Sequence, residues 1–213
     1  DGLTEQFDLA NFTIGGDTGK NVVVKNSKNV NLYNIDLSKA NGLSLTKSKV
    51  RAISCNIGLD VSSTDTELLL EECTVARNVD GHGILRLVKT TVTGWVQHRG
   101  GTWTPDDTAL TTSEFIVYQS TIKENIIAKA TESWIGYNEL KWISEIQNKG
   151  TIVGNTIDGR SERTRGIYAT GGDTQVNIYN NIIREHGLGV QWDQFGIGIY
   201  VNDNASCNIL NNI

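Results

Sequence analysis

The stretch QVNIYNNII, residues 175–183, sets alternating apolar and polar residues ahead of two adjacent asparagines. Nearly the same phrase returns as SCNILNNI (206–213). NVNLYNIDL (29–37), KVRAISCNI (49–57) and GTIVGNTI (150–157) follow the same template. The phrase is therefore an internal repeat, and its copies must be read in register before anything else.

In that register the apolar pairs are Val30/Leu32, Val50/Ala52, Leu68/Leu70, Leu85/Leu87, Phe115/Val117, then Ile152 alone, Val176/Ile178 and Cys207/Ile209. Each is a short period-2 strand with one face inward. Three residues later stands Ile35, Cys55, Cys73, Thr90, Ser120, Asn155, Asn181 or Asn212. Two further on, another apolar residue follows: Leu37, Ile57, Val75, Val92, Ile122, Ile157, Ile183. A strand, a polar bend and a second strand make one coil of a parallel solenoid that climbs about 4.8 Å per turn. Like residues then stack on like. Asparagine at the bend can take the left-handed backbone and hydrogen-bond to its copy one coil on, so the second Asn of YNNII is expected at a corner on such a ladder.

Composition agrees. One proline beside 22 glycines and many asparagines suits short strands with many corners. The three cysteines, Cys55, Cys73 and Cys207, are too few for a disulfide framework, and the stacked pair Cys55/Cys73 is read as reduced. A net charge of −5 argues against nucleic acid as a partner. No apolar run is long enough to span a bilayer, so membrane insertion is not expected. The absence of methionine and the end at Ile213, within a repeat, read as a piece of a longer protein.

The phrase V-x-I-x-N-N-x-I, with GIYAT (166–170) and GIYVN (198–202), resembles the right-handed parallel β-helix repeat of the pectate-lyase-like superfamily, over roughly residues 20–213. The resemblance implies an all-β right-handed parallel β-helix, with residues 1–20 as an irregular first coil or cap. It is silent on chemistry, because this fold serves many functions.

Coil length divides the chain. Between Leu37, Ile57, Val75 and Val92 the steps are twenty residues or fewer; afterwards they lengthen, and inserted loops are expected at about 93–112, 123–148, 158–165 and 184–195. Loops on a rigid scaffold are where binding usually sits. Trp95, Trp103, Trp134, Trp142 and Trp192 all fall in or beside them, and aromatic faces suit sugar rings. Carboxylates gather there too, and glycoside hydrolysis needs two, about 5 to 9.5 Å apart.

REHGLGVQWDQFGIGIY (184–200) packs Glu185, His186, Trp192 and Asp193 into one insert. Glu185 and Asp193 lead the expected catalytic acids, with Asp173 and Glu162 behind them. DGRSERTRGIY (158–168) carries Arg160, Arg163 and Arg165, which either face an anionic sugar or form local ion pairs. Tyr168 and Tyr200 match in GIYAT and GIYVN, as part of a sugar platform or as an aromatic ladder. Trp134 and Trp142 complete the expected binding set. DGHGI (80–84) resembles the GHG element of polygalacturonases, but that family's other signatures are missing, so His82 is read as a turn residue. No spacing suits calcium or zinc, and neither metal nor cofactor is expected.

The resemblance extends most closely to bacteriophage tailspike or depolymerase domains. That implies binding and cleavage of a cell-surface polysaccharide, by hydrolysis or elimination, in a parallel homotrimer located outside the cell or on a virion. The alternative is a non-catalytic adhesin, receptor-binding or fibre-shaft domain.

Overall fold

The computed structural model describes the backbone of residues 7–10 and, in full, residues 20–100, 113–160, 165–186 and 197–213. Among the described residues there are 23 strands and no helix. Every strand pairing is parallel, and the strands form one long sheet that folds back on itself through three ladders. The fold is all-β and consistent with a β-solenoid.

The first ladder, sheet I, contains Val30–Tyr33, Lys49–Ile53, Glu114–Tyr118, Glu132–Gly136, Lys149–Val153, Gln175–Tyr179 and Ser206–Leu210. Val30, Val50, Leu68, Leu85, Phe115, Ser133, Gly150, Val176 and Cys207 are successive register partners along it. The columns read from the repeat are thus real registers, with one rung added. Phe7–Ala10 extends the ladder by pairing with Val30–Tyr33, so the first twenty residues contribute a strand. Sheet II consists of two- or three-residue strands such as Asn56–Ile57, Thr91–Val92 and Thr156–Asp158. Sheet III carries Asn21–Lys25, Gly42–Thr46, Val96–His98, Ile167–Ala169 and Ile199–Val201. Four long strands, Asp60–Glu71, Val79–Val88, Thr121–Ala128 and Glu139–Ile146, bend from one sheet into the next.

Alternation builds these elements. Along Val79–Val88 every second residue is buried, so one face enters the core and the other remains outside. Leu68, Leu85 and Phe115 stack fully buried on the inner face of sheet I, each worth about 1.5–3 kcal/mol of transfer free energy.

One expectation is corrected. Residues 123–148 are not an inserted loop: Thr121–Ala128, Glu132–Gly136 and Glu139–Ile146 make a regular turn of the stack. Ser133 takes the inward position held elsewhere by Val, Leu or Phe, and it is buried beside Ile135. That substitution, with Glu139, Lys141 and Glu145 on the next strand, hides the apolar period. The expected insert at 93–112 begins with a strand, Val96–His98. Most of the remaining inserts, at 101–112, 161–164 and 187–195, lie outside the described residues.

The corner between sheets I and II explains the double asparagine. The first Asn takes the left-handed backbone, with φ of 57° at Asn180 and 51° at Asn211. The second is buried and makes the ladder: Asn181 Nδ2 and backbone N–H both donate to Asn212 Oδ1, at 2.9 and 3.0 Å. Asn155 does the same to Asn181, and Asn138 to Asn155. Further up the column Ser120 donates its backbone N–H to Asn138, Thr90 to Ser120 Oγ, and Cys73 to Thr90 Oγ1. Bend and ladder are therefore divided between two residues. The bend position tolerates Ser54, Glu72, Lys89, Gln119 and Tyr137, all at positive φ.

Candidate functional site

Outward residues of sheet I also stack in columns. Glu114, Glu132 and Lys149 are successive register partners, as are Ile116, Trp134 and Thr151. Between these columns and Asn177 the surface sinks into a groove of about 380 Å³, lined by Glu114, Glu132, Trp134, Lys149, Thr151 and Asn177. The size and the mixture of one aromatic face with polar groups suit a small ligand or a segment of a chain.

Trp134 sits in an aromatic cluster, its ring 5.4 Å from Tyr118 and 6.3 Å from Tyr137, with Tyr118 and Tyr137 edge-to-face at 6.0 Å. Two glycines give the cluster room. A Cβ at Gly136 would run into the Trp134 ring, and one at Gly154 would meet Tyr137 at 2.7 Å. The rings therefore lie against bare backbone, which fixes their orientation.

Charges alternate toward the other end of the sheet. Arg86 pairs with Glu114 through Nε and with Glu67 at 3.4 Å, Lys49 reaches Glu67 at 3.1 Å, and Arg51 reaches Glu71 at 3.0 Å. The hydrogen bond that Arg86 donates to Glu114, together with the charge of Glu114, raises the guanidinium still further above neutral, so it stays a cation. These partly exposed pairs order the surface more than they stabilise the fold. Glu114 and Glu132 stand on adjacent rungs, whose backbones lie about 4.8 Å apart.

The expected site residues are dispersed. Trp134 lies in the groove. Trp142 is at the corner between sheets II and III, with Lys141 Nζ 5.8 Å from its ring centroid. Tyr168 and Tyr200 are register partners on sheet III, stacked at 5.4 Å, and the Arg165 guanidinium lies 4.5 Å from each ring centroid. That is an aromatic ladder with a cation over it. Arg160 has φ of 48° and donates its backbone N–H to Asp158 at 3.0 Å; Arg184 also pairs with Asp158, at 3.1 Å. The Arg160 N–H, then Arg184, holds the Asp158 carboxyl below the usual carboxylate range.

Glu185 is exposed just beyond the sheet II strand Ile182–Arg184, whereas Asp173 is exposed in the turn between sheets III and I. The two acids occupy different corners of the cross-section and do not converge. His186 packs against Gly159, and burial pulls its imidazole below the ordinary histidine range. Glu162, Arg163, Trp192 and Asp193 lie outside the described residues. His82, read from the sequence as a turn residue, lies instead within the strand Val79–Val88, where the register shifts between Gly81 and Gly83 as the strand bends from sheet III into sheet I.

Sequence reasoning passed over Glu114, Lys149, Thr151 and Asn177. Their signal was available: each occupies an outward position one residue from the inward column. Once 132–136 is recognised as a rung, those outward residues also fall into columns.

Among the described residues no group of three His, Cys, Asp or Glu side chains could hold a metal ion. No helix of the described residues is long and apolar enough to cross a membrane. Compared with known proteins, the chain matches no family model, no curated protein and no solved structure.

Proposed function

We propose that the chain is a right-handed parallel β-helix of the pectate-lyase-like kind that binds a cell-surface polysaccharide along sheet I, in the manner of a phage tailspike domain. One observation carries the reading: a groove lined by Trp134, Glu114, Glu132, Lys149 and Asn177 on a rigid outer face. Trp134 supplies an apolar ring face, and the flanking carboxylates, ammonium and amide supply hydroxyl partners. On this reading the protein works outside the cell or on a virion, as a parallel homotrimer.

The test is binding of the purified chain to a panel of capsular and O-antigen polysaccharides, with Trp134→Ala alongside. Binding that falls sharply in Trp134→Ala supports the reading. Binding unaffected by that change, or absent from the whole panel, overturns it.

A second reading adds hydrolysis, favoured by the one-rung spacing of Glu114 and Glu132. Glu114, whose charge Arg86 partners, acts as nucleophile at the anomeric carbon while Glu132 protonates the leaving oxygen; water then releases the sugar. Glu132→Gln should keep binding and abolish new reducing ends. A product that instead absorbs in the ultraviolet would indicate elimination, and binding with no product at all would leave the adhesin or shaft role.

A further inference from the structure

A second cavity, of about 400 Å³, opens at the corner between sheets II and III, well removed in sequence from the sheet I groove. Its floor is built by register. Val61, Val79 and Val96 are successive inward partners, so Asp60, Asn78 and Trp95, each one residue earlier, stack in a column at the mouth. Asn78 locks that column: its backbone N–H and Nδ2 both donate to Asp60 Oδ1, at 3.1 and 3.0 Å, and its Oδ1 accepts the Trp95 backbone N–H at 3.1 Å.

The charges of the cavity cancel. Arg77 pairs with Asp60 at 3.2 Å, and Arg99 grips Asp80 with two nitrogens, Nε at 2.9 Å and Nη2 on the other oxygen. Two carboxylates and two guanidiniums thus meet in one small space without excess of either sign. Each guanidinium has five N–H groups and each carboxylate about four lone-pair sites, so both keep spare capacity at fixed angles. Trp95 adds an aromatic ring, and Ser62 and Asn41 add a hydroxyl and an amide at the rim. An anion or a cation would disturb the internal pairs and gain little. A ligand with adjacent hydroxyls, each able to donate and accept, and with one apolar face, would satisfy all of them.

We propose that this corner cavity is a binding site for a single neutral sugar unit, a pyranoside seated against Trp95 with its hydroxyls on the Asp60–Arg77 and Asp80–Arg99 pairs. The site is separate from the sheet I groove and does not depend on what that groove does.

The test uses the whole chain with methyl pyranosides of glucose, galactose and mannose and with N-acetylglucosamine, against glucuronate and glucosamine as charged counterparts. Binding is read by saturation-transfer NMR and by amide shifts of Asn78 and Trp95. Ser62 points outward and is exposed, so Ser62→Phe fills the cavity without disturbing the core. Trp95→Ala removes the ring. The expected result is saturable binding of at least one neutral sugar, weakened about tenfold or more in both variants and unchanged in Trp134→Ala. No neutral sugar binding, preference for a charged sugar, or binding that survives Ser62→Phe would each overturn the proposal. Loss in Trp134→Ala would do the same, by moving the site to sheet I.

Discussion

Replacing Asn155 with alanine separates a polar column that decorates a corner from one that holds the stack together. The residue is 1% exposed. Its Oδ1 accepts from Asn138 N–H and Nδ2, both at 2.9 Å. Its Nδ2 donates to Ile135 O at 2.9 Å, Val153 O at 3.1 Å and Asn181 Oδ1 at 2.9 Å. Alanine leaves the buried Asn138 N–H without this acceptor, and the Ile135 and Val153 carbonyls each lose a donor. At about 1–3 kcal/mol per unsatisfied buried group, with the N–H counted fully and the carbonyls partly, the loss should be about 3–5 kcal/mol. Serine provides an internal control. At the same position two rungs earlier, Ser120 Oγ accepts the Thr90 N–H at 3.0 Å and donates to Tyr118 O at 2.9 Å. Asn155→Ser should therefore recover about half of the loss. Native-state hydrogen exchange in Glu132–Gly136 and Lys149–Val153 reads the effect rung by rung, without assuming that the whole stack unfolds together. Alanine within about 1 kcal/mol of the parent, or serine no better than alanine, would refute the reasoning.

Three further outcomes follow from the same structure. Asn180, left-handed with φ of 57°, should tolerate glycine with little change, whereas Asn180→Val should cost about 1–2 kcal/mol in denaturant titrations. Its neighbour Asn181 should not tolerate glycine. His98 is buried, with Nε2 2.9 Å from Gly83 O and Nδ1 accepting the Gly100 N–H at 3.1 Å, and burial pulls its imidazole below the ordinary 6.5, with nearby His82 acting the same way and Asp80 against it. The imidazole is thus neutral when folded but takes up a proton near 6.5 when unfolded. Its contribution is complete above 6.5 and is lost as pH falls through the lower folded value, so denaturation midpoints should drop in mild acid, and less so in His98→Gln. Cys55 and Cys73 are both free and 2% exposed. Cys207 is only partly buried; a thiol reagent on the native chain should therefore label it first, and all three cysteines only in denaturant.

The repeat made most of the fold readable, because alternating burial and a fixed corner spacing are properties of single strands. Val30, Val50, Leu68 and Leu85 announce their rungs without help from neighbours. Ser133 does not: its burial depends on Phe115 and Gly150 on either side, which only the assembled ladder supplies. The groove was hidden for the same reason. Glu114 and Glu132 are eighteen residues apart in sequence, and only the register makes them adjacent. Insert length was a poor guide to location, since Trp134 lies on a regular rung rather than in a loop. What the sequence resolved well was Tyr168 over Tyr200, whose matching phrases carry their register with them.

The ladders have a kinetic consequence. Among the described residues no strand of sheet I meets its neighbour through a short turn; Val50 and Leu68 are eighteen residues apart, and Val176 and Cys207 thirty-one. A whole loop must close before the first hydrogen bond forms, so winding should be slow from the outset. Until the next turn arrives, the advancing rim exposes a row of unpaired N–H and C=O groups that another molecule's rim can satisfy equally well. Recovery of folded protein should therefore depend on how dilute the chains are while winding, more than on how stable the finished stack becomes.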